Sequence, residues 1–115
     1  MRVVGFGDFQ GLKGPVHQER RNLQIAKMKK IFPNFKESDI MSENNCFRAM
    51  SPDDMPLIGQ LKGHPGVFIN TGQGGKGLTN GLGCGDLLAK IISNDMLSPT
   101  EEKAKTYCDP IRFGV

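Results

Sequence analysis

The sequence predicts an α/β domain with few strands and two main helices. The strand content rests above all on Val67–Asn70, where β-branched and aromatic residues are concentrated. The helices rest on residues 17–32 and 77–93, in which apolar side chains recur at helical spacing. At 115 residues the chain has room for one modest core, and no linker is long enough to divide it.

The elements are expected in an order that alternates strands with helices. They are a strand over residues 2–9, a helix over 17–32, a polar connection over 34–44, a strand over 45–50, a turn-rich loop over 51–56, a short apolar piece over 57–59, a strand over 67–70, a glycine-rich turn, and a helix over 77–93. Pro33 ends the first helix because proline cannot continue it, and Asn94 suits the left-handed C-cap of the second. From Met96 onward we expect a polar tail with a short charged segment.

The second predicted helix carries an apolar stripe along one side. Its members, at a period of 3.6 residues, are Leu78, Leu82, Ala89 and Ile92. We expect this stripe to face the core, with Leu88 and Ile91 beside it. Three glycines inside the helix, at positions 81, 83 and 85, each cost up to about 1 kcal/mol relative to alanine.

Composition argues against several classes of protein. The 15 basic and 12 acidic residues leave a net charge of +3 with mixed signs, which does not favour a nucleic-acid partner. No apolar run approaches the ~20 residues that span a bilayer, and the N-terminus lacks the apolar region of a secretory signal.

The cysteines, Cys46, Cys84 and Cys108, are odd in number and scattered. We therefore expect no disulfide framework and an intracellular compartment, cytoplasmic or mitochondrial. His17 and His64 do not have the spacing of metal ligands.

The feature that carries chemistry is the glycine-rich turn between the last strand and the second helix. Its sequence is Thr71-Gly72-Gln73-Gly74-Gly75-Lys76-Gly77-Leu78-Thr79. The first helical turn leaves backbone N–H groups without partners at the positive end of the helix dipole, and glycines let a ligand approach them. The turn therefore predicts a site for a phosphate or for a ring with partial negative charge. The alternative is a tight turn with close helix–strand packing. Asp95 is near the spacing of the acid in a dinucleotide site, but no apolar second strand precedes it.

Arg48 is the second candidate for a functional residue. It lies on or near the end of the strand expected over residues 45–50, between Phe47 and Ala49. Its planar guanidinium suits a carboxylate held at two points. The alternative is a structural ion pair with Asp53 or Asp54, since an arginine among apolar neighbours needs a partner.

Two segments, in this order and at this spacing, resemble a known family. They are Phe47-Arg48-Ala49-Met50-Ser51-Pro52-Asp53-Asp54-Met55-Pro56-Leu57-Ile58-Gly59 and Phe68-Ile69-Asn70-Thr71-Gly72-Gln73-Gly74-Gly75-Lys76-Gly77-Leu78-Thr79. Both are similar to the C-terminal part of FAD-dependent amino-acid oxidoreductases, the group of D-amino-acid dehydrogenase, glycine oxidase and sarcosine oxidase. Residues 2–11 also resemble the last strand of that family's substrate domain, and Asp109–Phe113 resembles its usual ending. The chain departs from the family at Ala49, where proline is usual, and at Gln73, where histidine is usual.

The resemblance implies a function and a set of site residues. Arg48 would bind the carboxylate of an amino-acid substrate, and the turn would lie against the isoalloxazine ring of FAD. The residues implied in cofactor binding are Gly72, Gln73, Gly74, Gly75, Lys76, Gly77, Leu78 and Thr79. Oxidation of a (D-)amino acid by hydride transfer to the flavin would yield an imino acid and then a 2-oxo acid.

The resemblance also implies that the chain is one part of a larger enzyme. It would be the C-terminal fragment of an FAD-binding two-domain flavoenzyme fold, because nothing in it corresponds to the family's N-terminal Rossmann unit. Residues 1–46 would end the substrate-binding domain, residues 47–95 would form the FAD-binding strand, turn and helix, and residues 96–115 would be a C-terminal tail. The expected partner is the N-terminal part of the enzyme or a separate chain that replaces it. Alone, the chain is not expected to catalyse.

Two hypotheses from other functional classes remain open. One is a small binding module that keeps the anion site at the helix end and has no chemistry. The other is a protein-interaction domain that uses strand edges left without partners, for which a homodimer with exchanged elements is expected.

Overall fold

The chain folds into two compact units, Met1–Phe47 and Arg48–Val115. The structure is a computed structural model that describes residues 1–7, Phe9 and 17–115. The regular elements are helix α1 (Gln18–Ile31), strands β1 (Leu57–Gln60) and β2 (Phe68–Thr71), and helices α2 (Gly77–Ser93) and α3 (Pro99–Cys108). Short 3₁₀ turns lie at Glu37–Asp39, Gly74–Lys76 and Pro110–Phe113. The predicted mixed α/β composition is confirmed, with a third α-helix that the sequence analysis did not expect. Within the described part of the chain, no helix is both long and apolar enough to cross a membrane.

The first unit is built around α1, which confirms the helix predicted over residues 17–32. Ile25 and Met28 are its buried side chains, one turn apart on the same face. Phe6 lies under two cations of this helix, with the Arg20 guanidinium 5.4 Å and the Lys27 ammonium 5.2 Å from the ring centre. These cation–π contacts hold the Phe6 ring against α1.

The strand predicted over residues 2–9 is wrong for the residues that the structure describes. Residues 1–7 and Phe9 have no strand assignment, and the rest of the expected strand lies outside the described residues. A strand requires a neighbouring strand to take its N–H and C=O groups, and the described residues of this unit include none. Apolar alternation alone was therefore not enough to specify a strand here.

The strand predicted over residues 45–50 is also wrong. Only Met50 is paired, in a single antiparallel bridge to Gln73. The chain turns immediately afterwards, because Pro52 follows and the Asp54 amide donates to the Ser51 carbonyl at 3.3 Å. The turn therefore ends the pairing after one residue.

The second unit is built on an antiparallel pair of short strands. β1 pairs with β2 in the register Leu57 to Thr71 and Gln60 to Phe68, so the predicted strand at 67–70 is confirmed and the apolar piece at 57–59 is its partner. The core consists of Ile58, Cys84, Leu87 and Cys108, with Leu88, Ile91, Leu97 and Ala104 packed around it. Both core cysteines are free thiols. Burial raises the pKa of the Cys108 thiol.

Helix α2 confirms the helix predicted over residues 77–93. Asn94 ends it in the left-handed conformation, with φ of 56°, as the sequence predicts. The predicted orientation is wrong, however, because Leu78 is 101% and Leu82 92% exposed. The helix turns Cys84 and Leu87 inward instead, since β1 and α3 cover only that side of it.

Helix α3 replaces most of the predicted polar tail. It begins with a capping box, in which the Glu101 amide donates to the Ser98 hydroxyl and the Glu101 carboxylate accepts from the Ser98 amide at 2.7 Å. Pro99 occupies the first helical turn, where its missing N–H costs nothing. Lys90 of α2 joins the two helices, because its ammonium lies 2.6 Å from Glu101 and 2.8 Å from Asp86.

Ile58→Ala is expected to destabilise the second unit by about 2–5 kcal/mol, because Ile58 is 2% exposed and the truncation leaves a cavity. Ile92→Ala removes the same atoms at a 50% exposed position and is expected to cost less than about 1 kcal/mol. Urea denaturation of both variants measures the difference. Equal losses would show that Ile58 is not in the core.

The stability of α3 is expected to depend on acid pH through Glu101. Hydrogen bonds from Lys90 and then from Ser98 lower the pKa of the Glu101 carboxyl from 4.5 to about 2. A lowered pKa stabilises the folded state above pH 4.5, and this contribution is lost as the pH falls toward about 2. The urea midpoints of the wild type and Glu101→Gln should therefore converge over this range. A difference that is independent of pH would contradict this assignment.

Candidate functional site

The glycine-rich turn connects the end of β2 to the start of α2. Gly72 is buried with φ of +80°, and a Cβ on it would lie 3.3 Å from the Ser51 Cβ. Glycine is therefore required here by both the backbone conformation and the space. After Gln73, the 3₁₀ turn Gly74–Lys76 leads directly into α2 at Gly77.

The N-terminus of α2 has no side-chain cap. Its N-cap residue, Lys76, makes no capping hydrogen bond, and its ammonium instead lies 2.9 Å from the Asp54 carboxylate. Gly75, Leu78 and Thr79 are exposed, so this end of the helix is accessible. The backbone N–H groups of the first turn are thus available to an electron-rich group at the positive end of the helix dipole.

Arg48 lies directly over this turn. A Cβ on Gly75 would be 3.0 Å from the Arg48 Nη1 atom, so the guanidinium occupies the space that a side chain there would need. Two backbone contacts next to it hold the segments together. The Gly74 amide donates to the Ala49 carbonyl at 2.8 Å, and Met50 is bridged to Gln73. The two features that the sequence singles out are therefore adjacent in the fold.

The ion-pair alternative for Arg48 does not occur in the structure. Asp53 is bound to Arg112, with 2.8 Å between Oδ2 and Nε, and Asp54 is bound to Lys76. Arg48 is exposed, and no described residue gives it a carboxylate partner. Its charge is therefore available to a ligand.

The remaining residues of the turn have different environments. The Gln73 side-chain amide donates to the side-chain oxygen Oδ1 of Asn70, so Gln73 is tied to the end of β2. Leu78 presents an exposed apolar side chain in the first turn of α2. The site thus combines backbone donors, one guanidinium and an apolar surface.

Arg112 is a residue at this site that sequence reasoning did not assign. Its guanidinium binds Asp53, and this hydrogen bond is the main cause that holds the pKa of the Asp53 carboxyl well below its ordinary value. The two residues are 59 positions apart, so no local pattern could connect them. The only signal was the ending Asp109–Phe113, which resembles that of the family.

The strand, the glycine turn and the uncapped N-terminus of α2 lie beside a guanidinium that has no acidic partner among the described residues. This arrangement is typical of the class of site that accepts an anionic or electron-rich group. The chain belongs to the FAD-dependent oxidoreductase family, whose model, described as "FAD dependent oxidoreductase", matches residues 2–91. This confirms the resemblance stated above, and with it FAD as the cofactor of the family. No solved structure is significantly similar to the chain.

Curated relatives of the chain are D-amino acid dehydrogenases. The one from Granulibacter bethesdensis is 33% identical over 81% of this chain and 22% of its own length. The one from Neisseria meningitidis serogroup C is 32% identical over the same shares. D-amino acid dehydrogenase 3 of Mesorhizobium japonicum is 28% identical over 84% of this chain and 23% of its own length. The chain thus spans less than a quarter of the curated relatives that it matches.

Gly72→Ala is expected to destabilise the second unit, because an L-residue in the left-handed region costs about 1–2 kcal/mol and the new Cβ presses on Ser51. Gly83→Ala is the matched control, since nothing lies within 4 Å of its Cβ position in α2. It is expected to stabilise the helix by up to about 1 kcal/mol. Thermal unfolding of both variants tests the pair, and effects of the same sign would contradict the turn geometry.

Proposed function

We propose that this chain is the C-terminal part of an FAD-dependent enzyme that oxidises D-amino acids to imino acids, which hydrolyse to 2-oxo acids. The observation that carries the proposal is Arg48, which is exposed, has no acidic partner among the described residues, and lies over Gly75 at the glycine turn. The names of the relatives support the substrate class, because D-amino acid dehydrogenases match 81% of the chain.

The residues of the turn fit the flavin ring of FAD. The uncapped start of α2 offers backbone N–H donors next to the exposed Gly75, and the Arg48 guanidinium fills the space where a Cβ on Gly75 would lie. When bound, FAD supplies the hydride acceptor for the substrate α-carbon. Backbone donors from Gly75 and Gly77, at the positive end of the helix, would stabilise negative charge on the pyrimidine side of the ring. The Lys76 amide donates to the Gln73 carbonyl at 2.9 Å and holds the turn in shape. The exposed Leu78 side chain would contribute apolar contact.

Arg48 would hold the substrate. Its planar fork can donate two parallel hydrogen bonds to a carboxylate, the one group that all amino acids share besides the amine. A carboxylate held there would lie next to the glycine turn, because the Arg48 Nη1 atom is 3.0 Å from the Gly75 Cβ position. Orientation of the substrate against the ring is thus the role of this side chain.

The chain alone is not expected to turn over substrate. Its residues supply no dinucleotide-binding strand and acid for the adenosine and pyrophosphate of FAD, and the chain covers 22% of the Granulibacter relative. We assign residues 1–46 to the end of the substrate-binding domain, 47–95 to the FAD-binding strand, turn and helix, and 96–115 to the C-terminal tail. The partner is the remaining part of the enzyme, in the same polypeptide or as a separate chain. A homodimer of the fragment and an intracellular compartment remain predictions.

A chimera tests the proposed function. This chain replaces the matched segment of the Granulibacter D-amino acid dehydrogenase, and flavin content and D-amino-acid oxidation are measured for the chimera and for the 115-residue chain alone. We expect bound FAD and turnover in the chimera and neither in the chain alone. A folded chimera that retains FAD but oxidises no amino acid would reject the substrate class. Specific binding of FMN or phosphate by the chain alone would favour the binding-module reading.

Arg48→Ala in the chimera is expected to lower kcat/KM roughly 10- to 150-fold, because a charge-assisted pair to the substrate carboxylate is lost. This factor corresponds to a loss of about 1.5–3 kcal/mol of transition-state stabilisation. Flavin content should not change, and Arg48→Lys should be intermediate because an ammonium lacks the two-point geometry. Lys103→Ala, which removes an exposed charge on α3, is the control. Unaltered kinetics for Arg48→Ala would rule out the carboxylate role.

A further inference from the structure

We infer that Arg112 is a positioning residue for the Arg48 site. It binds the loop Ser51–Pro56 from the far end of the chain. This loop connects the Arg48 segment to β1 and packs against the glycine turn, where Ser51 lies beside Gly72. The inference rests on the proposed function for the role of Arg48 toward a ligand. The placement of Arg48 over Gly75 can be tested without that role.

Arg112 directs Nε and Nη2 of its guanidinium at this loop. Nε donates to Asp53 Oδ2 at 2.8 Å, and Nη2 lies 3.2 Å from Asp53 Oδ1. Nη2 also donates to the carbonyls of Met55 at 2.8 Å and Pro56 at 3.0 Å. Nη1 donates to the Asp109 carbonyl at 3.0 Å, and the side chain is only 19% exposed. The guanidinium is thus committed to protein groups, unlike that of Arg48.

The backbone segment that carries Arg112 is well fixed in the second unit. Pro110 is the largest fully buried side chain, and Cys108 belongs to the core. The Asp109 carboxylate accepts from the Ile111 amide at 2.9 Å and caps the short 3₁₀ turn. Arg112 therefore reaches the loop from a rigid position.

The loop that Arg112 holds is itself in contact with the glycine turn. Ser51 is buried, donates to the Met55 carbonyl at 2.6 Å, and lies beside Gly72. Asp54, held with φ of 58°, pairs with Lys76 at the start of α2. Without Arg112, the Met55 and Pro56 carbonyls lose their charged donor, and the segment that carries Arg48 loses its fixed end.

Amide hydrogen exchange in the 115-residue chain tests the positioning directly. Arg112→Ala should accelerate exchange of the Gly74 amide, which donates to Ala49, and of the Asp54 amide, which donates to Ser51, by about tenfold or more. Lys90→Ala is the matched control, because Lys90 also joins two carboxylates of the second unit, Asp86 and Glu101, away from the loop.

Three outcomes decide the result. Faster exchange at Gly74 and Asp54 in Arg112→Ala but not in Lys90→Ala supports the inference, and partial recovery in Arg112→Lys supports it further. If exchange rises uniformly over the second unit in both variants, Arg112 contributes only to the general stability of the unit, and the inference is overturned. Unchanged exchange at Gly74 would also overturn it.

Kinetics in the chimera separate this inference from the proposed function. Arg112→Ala should raise KM for the amino acid with flavin content unchanged. In a chimera that already carries Arg48→Ala, the same substitution should lower kcat/KM little further. Fully additive losses would show that Arg112 does not act through Arg48. If Arg48→Ala itself has no effect, the proposed function fails, while the exchange experiment still decides whether Arg112 positions the loop.

Discussion

The close contact between Gly72 and Ser51 is the constraint on which the site depends. Gly72 leaves β2 in a conformation that only glycine adopts without strain, and the buried Ser51 fills the space that a side chain would take. This contact brings the loop Ser51–Pro56 against the glycine turn. The Ala49 carbonyl can then accept from Gly74, and Arg48 can lie over Gly75. A local backbone requirement thus sets the geometry of a site whose residues are about 25 positions apart.

Acidic partners decide which arginine is available for a ligand. Arg48 and Arg112 flank the same loop, and Asp53 and Asp54 lie between them in the sequence. Asp53 binds Arg112 and Asp54 binds Lys76, so both carboxylates near Arg48 are already occupied. Arg112 has structural carbonyls and a carboxylate as partners, whereas Arg48 has none of either in the described chain. The loop therefore lies between a structural guanidinium, Arg112, and the guanidinium that the proposed function assigns to the substrate, Arg48.

Local chemistry explains which secondary-structure elements could be predicted from the sequence. The strand at 67–70, helix α2 and its Asn94 cap were predictable, because β-branched residues, helical periodicity and a left-handed C-cap are all encoded within a few residues. Helix α3 is also encoded locally, by the capping box of Ser98 and Glu101 and by Pro99 in its first turn. The strand predicted over residues 2–9 is wrong for the described residues, because a local apolar pattern does not supply the neighbouring strand that pairing needs. The link from Arg112 to Asp53 spans 59 positions and belongs to the tertiary fold.

The orientation of α2 connects the fold to the size of the relatives. One side, with Cys84 and Leu87, meets β1 and α3, and the opposite stripe leaves Leu78 and Leu82 almost fully exposed. A helix that is apolar on two sides is typical of the interior of a larger core. The exposed stripe begins at the first turn of α2, where the proposed cofactor site lies, and the chain spans 22% of the Granulibacter relative. The proposed function accounts for both facts, because a bound flavin and the remainder of an enzyme would then cover the side of α2 that this chain leaves open.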